Sequence, residues 1–132
     1  MYEVKPLILI YARHTPEGVW NGMIQECCEP EPREFFSKTE LIRRIDQYAA
    51  QRHCVTDLGD YYKPGGVWVG EVIPKHKRGG LSFWVEIMAC QRGTWQGRVI
   101  YKGTPRFFKD ESELFALMGD AYTAKANNTA SR

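Results

Sequence analysis

The chain has 132 residues and a formal net charge of +2, with 43% hydrophobic, 13% aromatic and 26% charged residues. That length fits one domain whose core needs no disulfide or metal staple, and the aromatic content with the low net charge excludes a disordered chain. No apolar run approaches the ~18 residues of a membrane-spanning helix, and the charge is uneven, net −3 over residues 1–73 and net +5 over residues 74–132.

The first predicted element is a strand, Leu7 to Arg13, rich in aliphatic and aromatic residues. Leu7 to Ala12 is strand length and lacks the basic and small-residue flanks of a secretion signal. The expected compartment is therefore the cytoplasm, with Cys27, Cys28, Cys54 and Cys90 reduced. A turn at His14–Gly18 leads into a second strand carrying Trp20-Asn21-Gly22. An acidic loop, Glu26 to Glu34, follows and is stiffened by Pro30 and Pro32. Ser37 is a preferred helix N-cap, with Glu40 three positions on to complete a capping box. Leu41, Ile42, Ile45, Tyr48 and Ala49 then recur at helical spacing.

Residues 51–80 connect the two halves. Asp57–Asp60 and Lys63–Gly66 have turn chemistry, Val67–Ile73 reads as a strand, and Pro74–Gly80 is a basic loop expected to close a hairpin onto the strand Phe83–Cys90. Arg92-Gly93 turns into a strand in which Trp95, Gly97, Val99 and Tyr101 share one face. A glycine inside a strand marks a close approach, and the expected occupant is a neighbouring aromatic ring. Asp110 and Glu113 repeat the capping box, and Leu114, Phe115, Met118, Ala121 and Tyr122 form the second apolar helical stripe. Residues 123–132 are small and polar and are expected to fray.

These elements repeat. Trp20-Asn21-Gly22 corresponds to Trp95-Gln96-Gly97, and Phe35-x-Ser37-x-x-Glu40-Leu41 to Phe108-x-Asp110-x-x-Glu113-Leu114, in the same order. The expected fold is α+β: an antiparallel sheet of about five strands with two amphipathic helices, in two pseudo-symmetric β-β-α repeats. Residues 1–122 form the domain, with repeat one at 5–50, a connection at 51–80, repeat two at 81–122 and a polar tail at 123–132.

Trp-Gln-Gly on a strand followed by the F-x-S-x-x-E-L helix start resembles small Firmicutes proteins that carry a "WQG … FxSxxELLxLI" pattern. The second copy matches through Trp95, Gln96, Gly97, Phe108, Glu113, Leu114 and Leu117, with Asp110 in place of the usual Ser. The first copy has Asn21 for Gln and Arg44 at an otherwise apolar position. With both copies counted, about two-thirds of the chain is covered. The resemblance implies a bacterial, phage or mobile-element context and carries no activity.

Catalytic signatures are sparse. His14, His53 and His76 sit in no metal or nucleophile pattern, Asp57 and Asp60 read as turn residues, and Gly65-Gly66 and Gly79-Gly80 lack phosphate-loop spacing. A zinc site from Cys27 or Cys28 with His53, Cys54 and Cys90 departs from the usual ligand spacings. No catalytic residue, metal or cofactor is therefore expected. Binding is the expected mode. Both alternating sets of Phe83–Cys90 are largely apolar, so the sheet face away from the helices calls for cover: by Val67–Ile73, by self-association as a homodimer, or by another protein. Lys75, Lys77, Arg78, Arg98 and Lys102 are candidate phosphate or partner contacts, with Trp84, Tyr101 and Phe107 as stacking surfaces. Glu29 and Glu31 are candidate contacts to a basic protein surface. The expected function is a small non-enzymatic binding protein that regulates or inhibits a protein or nucleoprotein target, for example a phage anti-defence (anti-CRISPR-type) inhibitor. The alternative is a nucleic-acid-binding module using the basic second half. No membrane association is expected.

Overall fold

A computed structural model describes residues 2–4, 7–14, 18–26, 31–50, 53–55, 80–91 and 94–130. The elements run β1 (Tyr2–Val4), β2 (Leu7–His14), β3 (Trp20–Glu26), β4 (Arg33–Phe35), α1 (Lys38–Ala49), β5 (His53–Val55), β6 (Leu81–Gln91), β7 (Thr94–Tyr101), β8 (Thr104–Phe108) and α2 (Glu111–Ala130). The fold is α+β. The main sheet is antiparallel with six strands in the order β4-β3-β2-β6-β7-β8, and β1 pairs with β5 apart from it. The sheet thus has one more strand than expected, and its membership differs. β4 and β8 are short edge strands, while the expected strand Val67–Ile73 lies outside the described residues, as do the turns at Asp57–Gly66 and most of the basic loop.

Both helices pack on one face of the sheet. Ile8, Ile10, Ile24, Phe35, Phe83, Val85, Trp95, Val99 and Phe108 from the strands share a core with Leu41, Ile45 and Tyr48 of α1 and Leu114, Phe115 and Met118 of α2. The burial of Trp95, Gly97 and Val99, with half-buried residues between, follows the two-residue period of a strand. Each helix starts as its cap chemistry demands. The Glu40 amide donates to Ser37 Oγ at 3.1 Å and the Glu113 amide to Asp110 Oδ1 at 2.8 Å. Phe35 and Phe108, two residues ahead of the caps, are buried with Leu41 and Leu114, which fixes where the chain enters each helix. The second helix continues to Ala130 rather than fraying after Tyr122. Its last turns contain alanines, which extend a nucleated helix without needing an apolar face.

The glycines of the two Trp-x-Gly segments face something other than the expected ring. A Cβ on Gly22 would sit 1.9 Å from the Tyr11 carbonyl oxygen, and one on Gly97 1.9 Å from that of Glu86. In both places the occupant is the backbone of the adjacent strand. Gly22 lies between Ala12 and Phe35, and Gly97 between Ile87 and Phe108. Beside Gly97 the β6–β7 register shifts between Ile87 and Ala89, the two-against-one count of a β-bulge.

The two tryptophans reach across the molecule. Trp95 is fully buried, and its Nε1–H donates to Asp46 Oδ1 of α1 at 2.5 Å. Trp20 meets Phe115 and Tyr122 of α2 edge-on, with ring centroids 5.7 and 5.6 Å apart. The helices touch through Lys38 Nζ, 4.7 Å from the Phe115 ring centroid. Burial raises the Glu111 carboxyl above its ordinary range, and the Asp46 and Asp110 carboxylates add to this against the opposing pull of Lys38.

Two outcomes follow from this packing. Replacing Gly97 or Gly22 by Ala forces a methyl group into a backbone carbonyl and lowers stability by about 1–3 kcal/mol, the range for overpacking; urea denaturation measures it. The raised Glu111 carboxyl ionises later in the folded chain than in the unfolded one. Its contribution is therefore present at acid pH and lost as pH rises through its folded value. The melting temperature of Glu111→Gln falls less than that of the parent as pH is raised through the carboxylate range.

Candidate interaction surface

Alternation along β2, β6 and β7 sends every second side chain to the face away from the helices. Cross-strand pairing arranges these residues in rows. One row runs Leu7–Glu86–Arg98–Phe107, the next Gln25–Leu9–Trp84–Ile100–Pro105, and a third Glu34–Met23–Tyr11–Ser82. Burial changes along them. Gln25, Leu9, Tyr11 and Met23 on β2 and β3 are buried, and the Gly80 amide donates to the Tyr11 hydroxyl at 2.9 Å. Trp84, Arg98 and Ile100 are half-buried, and Pro105 and Phe107 on β8 are exposed. Phe107 is 66% exposed, and Met88, the residue skipped by the register shift, 40%. The outer face therefore closes over the first half of the chain and opens over the second.

Charge around the β7–β8 hairpin and the β8 edge is mostly positive. Arg98 pairs with Glu86 at 3.4 Å. Past it, Lys102 is exposed on the β7–β8 hairpin and Lys109 just after the edge strand, and Arg106 is exposed on the edge strand but, paired with Val99, on the helix side. Pro105 and the basic residues also guard the edge of β8 against pairing with another sheet. The hairpin closes in two residues. Tyr101 pairs with Thr104, and both Lys102 (φ 49°) and Gly103 (φ 79°) have positive φ, as a type I′ turn requires. Asn, Asp or Gly is usual at the first of these positions, and a lysine there carries a steric cost. The Lys102 ammonium lies 5.4 Å from the Tyr101 ring centroid, which offsets part of that cost.

The expected contact residues fall into three groups. Trp84 and Arg98 share the outer face in adjacent rows, and Lys102 stands at the tip of the hairpin that continues from Arg98. Glu31 is exposed but lies ahead of β4 at the opposite edge of the sheet. Lys75, Lys77, Arg78 and Glu29 lie outside the described residues. Two expectations change. Tyr101 belongs to the helix side, where it meets Phe83 edge-on at 5.2 Å, so it offers no stacking surface on the outer face. Glu26, expected to open the acidic loop, ends β3 and is buried, because the strand runs further than its apolar pattern. The type I′ turn is signalled in the sequence only by the glycine of Lys102-Gly103 between two strands.

His14 stacks on Trp20 with centroids 4.5 Å apart, and Cys90 is a free, exposed thiol. Among the described residues, no three His, Cys, Asp or Glu side chains come close enough to hold a metal ion, and no helix is long and apolar enough to cross a membrane. No protein-family profile matches the chain, and the searches of curated proteins and of solved structures returned no significant match.

The strain at Lys102 makes a direct prediction. Lys102→Asn relieves the left-handed cost and raises stability by about 0.5–1 kcal/mol. Chemical denaturation measures the gain, and an unchanged or lowered stability would show that the Tyr101 contact outweighs the backbone term.

Proposed function

We propose that this protein works by occupying the surface of a protein or nucleoprotein target, as a regulator or inhibitor, with the open half of its sheet as the contact. The observation that carries the reading is the divided outer face. The same face is sealed at Leu9, Tyr11 and Met23, half-buried at Ile100 and open at Pro105 and Phe107, and apolar surface beside charged residues is the usual make-up of a contact surface. The resemblance to small Firmicutes proteins supports reading it as a phage or mobile-element accessory protein, of which anti-defence (anti-CRISPR-type) inhibitors are one class.

We further infer that the chain arose by duplication of a strand-strand-strand-helix unit. The strand order supports this, because β4-β3-β2 and β6-β7-β8 run outward from the centre in matching sequence. So does the register. The spacing of 75 that relates Trp20 to Trp95 also relates Leu9 to Trp84, and Leu9 pairs with Trp84 across the central strands. A pseudo-two-fold axis through that pair makes each half complete the other's core. The second half then differs from the first mainly on the outer face, where the proposed contact lies.

Affinity capture of the tagged chain from a bacterial lysate, with and without nuclease, tests the function. The expected outcome is a protein or nucleoprotein captured by the parent chain and by Phe36→Ser, whose ring is 64% exposed elsewhere, but lost with Phe107→Ser at unchanged melting temperature. Equal capture by all three chains would remove the open face as the contact.

A further inference from the structure

We infer that the open half of the sheet and its basic hairpin form a binding site for single-stranded nucleic acid. The inference rests on the reading of the open face as the contact surface and names what that surface holds.

The first argument is charge. Arg98 lies on the outer face of β7, Lys102 on the hairpin and Lys109 just after β8, while Arg106, paired with Val99, leaves the edge strand on the helix side; Glu86, already paired with Arg98, is the carboxylate beside them on the outer face. The acidic groups of α2, Asp110, Glu111 and Glu113, sit at the start of the helix, which packs on the opposite face. The exposed cations flank the β8 edge from both sides, and a polyanion lying along that edge meets them.

Shape and chemistry select the kind of polyanion. Phe107 stands exposed directly across from Arg98, and the half-buried Trp84 lies one strand and one row from Arg98, two strands from Phe107, on the same face. A sheet face carrying an exposed ring and a guanidinium suits the faces of unpaired bases, which stack on aromatic side chains and on Arg. A duplex hides those faces within its own stack. An acidic peptide would satisfy the cations but has no need of a ring at Phe107.

The third argument is the strain at Lys102. Asn or Gly would close the same type I′ turn at lower cost, yet a lysine occupies the left-handed position, exposed on the hairpin with its ammonium 5.4 Å from the Tyr101 ring centroid. Backbone strain of this kind points to a role for the side chain, and a phosphate contact is the role that fits its neighbours. Edge protection accounts for Pro105 and Arg106; it does not account for a strained cation on a turn.

The test is fluorescence anisotropy with labelled oligo-dT and oligo-U, a duplex of equal length and poly-glutamate, each at two salt concentrations, using the full chain. The expected result is binding of one or both single strands in preference to the duplex and the polypeptide, with affinity falling as salt rises. Phe107→Ala weakens single-strand binding about tenfold. Lys102→Asn weakens it and lowers the salt dependence by about one counterion while leaving the chain at least as resistant to heat. That combination separates a phosphate contact from a structural role. No single-strand affinity, equal binding of poly-glutamate, or affinity unchanged in both variants would overturn the inference. Loss of a captured protein target with Phe107→Ser, in a chain without oligonucleotide affinity, would overturn this inference while leaving the proposed function in place.

Discussion

The fold depends on two tryptophans that are covered by the opposite half of the chain. The Trp95 indole sits inside the core, where an unpaired N–H would be costly. Its donor reaches the Asp46 carboxylate on α1, so a strand of the second half holds a helix of the first. Trp20 does the reverse, meeting Phe115 and Tyr122 of α2. Neither half could stand alone: cutting the sheet between β2 and β6 would strip a large aromatic side chain of its cover on each side. The exchange also holds α1 and α2 side by side, which brings Lys38 over Phe115 and crowds Asp46 toward Glu111.

Placing both helices on one face leaves the other face of a six-stranded sheet to be managed. Over β2 and β3 it is managed by burial, and Tyr11 marks the transition, its hydroxyl accepting from the Gly80 amide as the chain enters β6. A Cβ at Gly80 would fall 2.4 Å from the Tyr11 ring, so any larger residue there would displace the end of that ring. Over β7 and β8 the face is managed differently, with an ion pair, a proline and basic residues set among apolar ones. That mixture keeps an edge strand from adding to another sheet. It leaves one large ring, Phe107, in solvent, and the protective devices give no reason for that ring.

The parts of the fold legible in the sequence are those fixed by local physics. Ser37 and Asp110 cap helices wherever the chain goes next, and the apolar stripes behind them require a sheet to pack on. The long strands β2, β6 and β7 show in their aliphatic and aromatic runs. The edge strands do not: Arg33-Glu34-Phe35 and Thr104-Pro105-Arg106 have neither apolar alternation nor β-branched runs, and they are strands because β3 and β7 offer backbone partners. The occupants of Gly22 and Gly97 are not legible for a related reason. A sequence marks a close approach but does not distinguish a ring from a neighbouring carbonyl. On the candidate surface, Trp84, Arg98 and Lys102 were legible from residue type, whereas the separation of Tyr101 from Phe107 onto opposite faces depends on the register through Gly97.

If the two halves descend from one unit, as proposed, their differences say more about function than their similarities. The core positions repeat because both copies must cover a tryptophan and seat a helix: Gly22 with Gly97, Phe35 with Phe108, Leu41 with Leu114. The outer face carries no such demand and is free to diverge. There, Met23 in the first copy corresponds to Arg98 in the second, and the short strand that ends at Phe35 becomes a basic hairpin ending at Phe108, with Phe107 where the first copy has Glu34. Buried methionine has become a half-exposed cation, and an exposed acid has become an exposed ring. Both changes run against the stability of an isolated domain, since each puts into solvent or near it a group better suited to a partner. That divergence, on a scaffold whose core is held in common, is the physical reason to look for function on β7 and β8.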